Sequence, residues 1–103
     1  MSFEQIVAKV KGKAESAAME GTSVYQFRLS GDSAGDFYIN IVDGSAELKE
    51  GLAEEPSVSI SMKDEDFIAM MEGKLGATAA FFAGKIKIKG DMSLAMKLQT
   101  LLG

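Results

Sequence analysis

Asp64, Glu65 and Asp66 form the densest run of acids in the chain, and three adjacent carboxylates are where a divalent cation or a general base is first sought. A helix start accounts for them equally well. Asp64 is expected to cap a helix with Glu65 and Asp66 in its first turn, where the macrodipole favours negative charge, so no metal is expected. The chain contains no His, no Cys and no Trp. It therefore cannot build a Ser-His-Asp or Cys-His nucleophile, a thiolate site, or a zinc site needing nitrogen or sulfur ligands. Neither G-x-G-x-x-G nor G-x-x-x-x-G-K-[ST] occurs, so a nucleotide phosphate has no cradle and no cofactor is expected. A carboxylate base in an apolar cone needs no His. Nearly every acid here, however, falls in a turn, a helix start or a polar strand face. The residue chemistry points away from catalysis.

Two other groups of residues stand out. Lys85, Lys87 and Lys89 alternate with Ile86 and Ile88, giving one cationic and one oily face. Such lysines suit an anionic head group or membrane surface; equally, they blunt a strand edge against aggregation. Formal charge is −4 overall, which argues against nucleic acid as a partner, yet it is unevenly spread. Residues 1–72 carry 6 basic and 14 acidic groups, residues 73–103 carry 5 basic and 1 acidic. The second group is apolar: Met70, Met71, Met92 and Met96 lie near Phe67, Phe81 and Phe82. Unbranched, polarizable Met suits a surface that repacks around different apolar partners; it also serves as plain core filling.

The elements that position these residues follow from periodicity. Phe3, Ile6, Val7, Val10, Ala14, Ala17 and Ala18 lie on one helical face, and Ser2 with Gln5 makes a capping box. The period then changes to two, with Tyr25, Phe27 and Leu29 in one strand and Phe37, Ile39 and Ile41 in the next. Asp43-Gly44 is a two-residue hairpin signal that sets Ile41 opposite Ala46, Ile39 opposite Leu48, Tyr38 opposite Lys49 and Asn40 opposite Glu47. Residues 52–57 read as a loop, and Val58, Ile60 and Met62 as a fourth strand. A helix from Asp64 to near Gly73 and a short one from Ala77 through Phe81-Phe82 to Gly84 precede a fifth strand at 85–89. Gly90-Asp91 breaks that strand and starts a last helix bearing Met92, Leu94, Ala95, Leu98, Leu101 and Leu102. The order predicts an α+β fold, a five-stranded mainly antiparallel sheet with helices packed on one face. Length, 47% apolar and 25% charged residues fit one globular domain over 1–103. No apolar run approaches ~20 residues, no signal peptide is visible, and Leu101-Leu102-Gly103 is no peroxisomal tripeptide, so a cytoplasmic location is expected.

Residues 81–99, from Phe81-Phe82-Ala83-Gly84-Lys85 through Gly90-Asp91 to Leu94-Ala95-Met96-Lys97-Leu98, resemble the sterol carrier protein 2 (SCP-2) lipid-transfer domain. That family's signature is an aromatic–Gly–Lys strand, a Gly-Asp break and a Leu-Ala-x-Lys-Leu helix. The resemblance implies an apolar tunnel between sheet and helices. It also implies non-catalytic binding or transfer of fatty acid, fatty acyl-CoA, phospholipid or sterol. Carried onto this sequence, the tunnel wall falls to Phe82, Ile86, Ile88, Met92, Leu94, Leu98, Leu101 and Leu102. Face analysis adds Ile39, Phe67, Met70 and Met71 as the opposite wall, and Lys85 and Lys87 are the head-group candidates. The expected partners are a lipid or acyl ligand and an anionic membrane surface met transiently, with the oligomeric state left open. The alternative is a protein-interaction module of the same fold with a filled tunnel.

Overall fold

The computed structural model describes residues 1–17, 19–97 and 101. Its first element, α1 (Phe3–Ser16), opens with the expected capping box. Gln5 N–H donates to Ser2 Oγ at 3.2 Å, and Ser2 N–H donates to Gln5 Oε1 at 2.8 Å. Two of the helix's unpaired N-terminal donors are thereby satisfied. Ile6, Val10 and Ala14 bury the predicted stripe against the sheet.

Five strands follow the period-two segments: β1 (Ser23–Ser30), β2 (Gly35–Val42), β3 (Ser45–Glu50), β4 (Val58–Lys63) and β5 (Ile86–Gly90). They lie in the order β3-β2-β1-β4-β5. The β2–β3 hairpin has the predicted register, Ile41 opposite Ala46 and Ile39 opposite Leu48. Asp43 and Gly44 hold φ of 49° and 84°, as a two-residue turn of this kind requires. Only β1 and β4 pair in parallel, so the chain must cross the sheet between β3 and β4.

The crossing is a polar device. Gln26 belongs to the outward face of β1 by alternation, yet it is 2% exposed because the loop after β3 covers it. Its amide donates to the carbonyls of Phe37 (3.0 Å) and Gly51 (3.1 Å) and accepts from Ala53 N–H (2.7 Å). A buried amide without these bonds would cost about 1–3 kcal/mol. Here it fastens the loop instead.

The helices all cover the other face. α2 (Asp64–Met71) packs on β4 and β1, α3 (Ala77–Phe82) on β5, and α4 (Met92–Ala95) on β4 and β5. Between them lies an aromatic core: Phe27 and Phe37 stack at 5.0 Å, and Phe67 meets both edge-on at 5.6 and 5.9 Å. Such offset and edge-on pairs contribute beyond the area they bury.

Asp64 departs from its expected role. Lys63 is the N-cap of α2 and Asp64, 6% exposed, its first residue. It accepts from Ser33 N–H at 2.7 Å as well as from Glu65 N–H at 2.8 Å. The β1–β2 turn presents an amide that needs a partner, and Asp64 supplies it.

Candidate functional site

Three short elements meet around one apolar opening at the β5 side of the sheet. α3 brings Ala77, Thr78, Phe81 and Phe82; β5 brings Ile86 and Ile88; α4 and its C-terminal residue bring Met92, Ala95 and Met96. Local sequence explains each contribution. Ala77–Phe82 is rich in the best helix former, and its small residues let the helix sit close to β5. In β5, alternation turns Ile86 and Ile88 to the helices and Lys87 and Lys89 away from them, while Lys85 precedes the strand.

α4 is held by two hydrogen-bonded contacts. Asp91 caps it, accepting from Ser93 N–H at 2.9 Å and from the Ser93 hydroxyl. Those two bonds, the hydroxyl first, hold the Asp91 carboxyl below its ordinary range. From the sheet, the Tyr25 hydroxyl donates to the Leu94 carbonyl at 3.0 Å. Burial, with the Asp91 charge nearby, raises the Tyr25 phenol above its ordinary value of 10.0.

The opening measures about 150 Å³. Pockets that enclose a drug-sized ligand run to about 300–1,000 Å³, so a long acyl chain would require the walls to move. Met92 and Met96 are the side chains suited to that, being unbranched and 47% and 72% exposed. Among the described residues that line it, only Thr78 carries a polar side chain. No titratable side chain occurs among those described residues, and the surface they present to the cleft is mainly apolar.

Four residues predicted from sequence come together in it: Phe82, Ile86, Ile88 and Met92. The expected opposite wall does not. Phe67 packs edge-on within the aromatic core, and Ile39, Met70 and Met71 are buried in the same cluster, at most 6% exposed. Helical and strand faces that pack against each other carry the same apolar pattern as faces that line a cavity, and the close packing of this core uses them up. Leu94 is half-buried against the core and Leu101 lies inside it. Leu98 and Leu102 lie outside the described residues.

Neither lysine assigned to the head group lines the cleft. Lys85 forms an ion pair with Asp66 at 3.8 Å. Lys87, in register with Ser61 of β4, stands on the outward face of the sheet beside Ser59, Arg28 and Lys89. Sequence reasoning also left out Ala77, Thr78, Phe81, Ala95 and Met96 as lining residues. The density of Met and Phe in the last third was the available signal for Phe81 and Met96; no pattern marks an alanine as a wall.

The comparisons with known proteins agree with this architecture. The model of the SCP-2 sterol transfer family matches residues 3–103. The hydroxysteroid dehydrogenase-like protein 2 of Xenopus tropicalis is 43% identical over 93 residues, covering 86% of this chain and 22% of that protein. The chain thus spans about a fifth of the length of that relative. Among solved structures, the sterol carrier protein domain 2 of Helicoverpa armigera superposes with a TM-score of 0.65 at 31% identity, covering 97% of this chain and 81% of that one. Palmitated SCP2L2 from Aedes aegypti superposes with a TM-score of 0.74 at 23% identity, covering 99% and 95%, a likeness of fold. With its family model matched from Phe3 to the last residue and a solved relative at 31% identity, the chain belongs to the SCP-2 sterol transfer family.

Proposed function

We propose that this chain is one lipid-binding domain that carries a fatty acyl chain in the cleft between α3, β5 and α4, without catalysing a reaction on it. The single observation behind this reading is the cleft itself, walled by aliphatic, Met and Phe side chains with one hydroxyl among them. The palmitated state of the Aedes aegypti relative supports a fatty acid as the ligand class. Transfer from water is the driving force, about 0.8 kcal/mol per buried methylene. Ten methylenes supply roughly 8 kcal/mol before ordering costs, which corresponds to micromolar affinity. A carboxylate or phosphate head group stays at the mouth of the cleft, in water.

The test is native mass spectrometry of freshly purified protein, followed by titration with palmitate and palmitoyl-CoA. A one-to-one adduct or micromolar uptake is expected. Protein that neither retains nor takes up an acyl chain overturns the reading. That outcome favours a protein-interaction module with the same fold, a second reading that draws on the small volume of the opening and the filled core behind it. Replacement of Ala95, which is buried at the cleft wall, by Leu fills the space and is expected to lower palmitate affinity at least ~10-fold while the fold persists.

A further inference from the structure

Seven methionines occur in the chain, and the fold sorts them into two groups. Met19, Met62, Met70 and Met71 are buried in the core, none more than 6% exposed. Met1, Met92 and Met96 are open to water, at 47%, 47% and 72%. Met1 belongs to the chain terminus, whereas Met92 and Met96 both line the cleft. These two stand one helical turn apart, and Met96 N–H donates to the Met92 carbonyl at 3.1 Å, so their side chains leave α4 side by side.

Their chemistry sets them apart from the rest of the wall. The other described lining residues are Ala, Thr, Ile and Phe, none of which a mild oxidant attacks. A thioether takes up one oxygen readily, and with no Cys in the chain no thiol competes for it. The sulfoxide that results is polar and a strong hydrogen-bond acceptor, yet Thr78 carries the one polar side chain among the described lining residues. Facing an acyl chain, the new oxygen would have no donor, which is costly away from water. It therefore turns out to solvent and takes its apolar stem from the side of the cleft that α4 provides.

We infer that Met92 and Met96 form a peroxide-sensitive modification site whose oxidation releases the acyl chain from the cleft. The inference rests on the lipid-carrying reading above and adds to it a means of emptying the site. The co-reactant is a hydroperoxide, ROOH. The sulfur lone pair attacks the terminal peroxide oxygen, an S–O bond forms, the O–O bond breaks, and the proton passes to the departing oxygen. The products are the sulfoxide and ROH, sulfur having lost the two electrons that the peroxide gains. Methionine sulfoxide is reduced back by enzymes specific for each of its epimers, so the change is reversible.

The test is to treat the full chain with hydrogen peroxide, follow each methionine by peptide mass spectrometry, and titrate palmitate before and after. Met92 and Met96 are expected to oxidise at least ~10-fold faster than the four core methionines, and palmitate affinity to fall at least ~10-fold as they convert. The two sulfoxide reductases are expected to restore it. Palmitate added first is expected to slow oxidation at Met92 and Met96 and not at Met1. Met92→Leu/Met96→Leu removes both sulfurs at similar volume. Whatever its own affinity, peroxide is expected to leave that value unchanged while Met1 still oxidises. Met92→Gln/Met96→Gln, with an amide in place of the sulfoxide, is expected to bind at least ~10-fold more weakly than wild type without peroxide. An equal peroxide effect in the Leu variant, or wild-type affinity in the Gln variant, overturns the inference. So does a fall in affinity accompanied by loss of the far-UV circular dichroism, which assigns it to unfolding. The two readings separate cleanly. Protein that takes up no palmitate before peroxide overturns carriage and the switch together, while uptake that persists with Met92 and Met96 fully oxidised overturns the switch alone.

Discussion

Tyr25 joins the sheet to α4 by one hydrogen bond, its hydroxyl to the Leu94 carbonyl, and replacement by Phe isolates that bond. Tyr25→Phe is expected to lose about 1 kcal/mol at neutral pH, read as a lower urea midpoint with an unchanged slope. The pH dependence follows from the raised phenol pKa. Above pH 10.0 the unfolded chain releases this proton while the folded chain still holds it, so stability falls as pH rises. The contribution is complete below the unfolded value and is lost as pH passes through the folded one. Wild type is therefore expected to lose more stability between about pH 8 and pH 11 than Tyr25→Phe does, by urea titration at both. Equal losses would show that the phenol is not protected. Asp91 works in the opposite sense: its lowered carboxyl stabilises the start of α4 above its ordinary value of 3.8, and that is lost as pH falls through the folded value.

The junction of β5 and α4 turns on Gly90. It holds φ of +107°, and a Cβ there would lie 2.5 Å from the Ser57 carbonyl oxygen and 3.0 Å from Val58 Cα. Both are backbone atoms at the entry to β4 and cannot swing aside. Gly90→Ala is expected to cost at least about 2 kcal/mol, measured by urea unfolding, with loss of the Asp91 N–H to Ser57 carbonyl bond (3.0 Å) that starts α4. At the other end of the chain, Ser2→Ala removes half of the capping box and is expected to lower stability by about 0.5–1 kcal/mol. A melt that resolves neither variant from wild type would remove these two junctions from the account of the fold.

For the molecule as a whole, the sheet order places β1 between β2 and β4, with β3 and β5 at the edges. Amides of β1 are expected to exchange slowest, at the global unfolding rate, and those of β5 faster, because β5 pairs on one side only. The cleft is built on that weaker edge, which allows it to widen without disturbing the aromatic core. Ligand is expected to stabilise the whole chain through mass action. Palmitate at ~100 times its dissociation constant adds about 2.7 kcal/mol, which raises Tm by roughly 10 °C or more in a domain of this size. A melting temperature indifferent to palmitate would separate the cleft from lipid carriage.

Local pattern determined a large part of this protein. Alternation placed the strands, Asp43-Gly44 set the hairpin register, and Ser2 with Gln5 started α1. Each of these depends on residues a few positions apart, whose geometry the backbone itself enforces. The absence of His and Cys likewise limited the chemistry before any fold was known. Tertiary structure decided the rest. It buried Gln26, which alternation had put outside, because a loop from beyond β3 lies over it. It sent Asp64 to the amide of a turn 31 residues away. It also divided the apolar residues of the last third, drawing Phe67, Met70 and Met71 into the core and leaving Phe82, Met92 and Met96 at an open cleft. Hydrophobic pattern states only that a face will leave water. Whether it meets another face of the same chain or an acyl chain depends on which elements pack above it, and that is a property of long-range contacts.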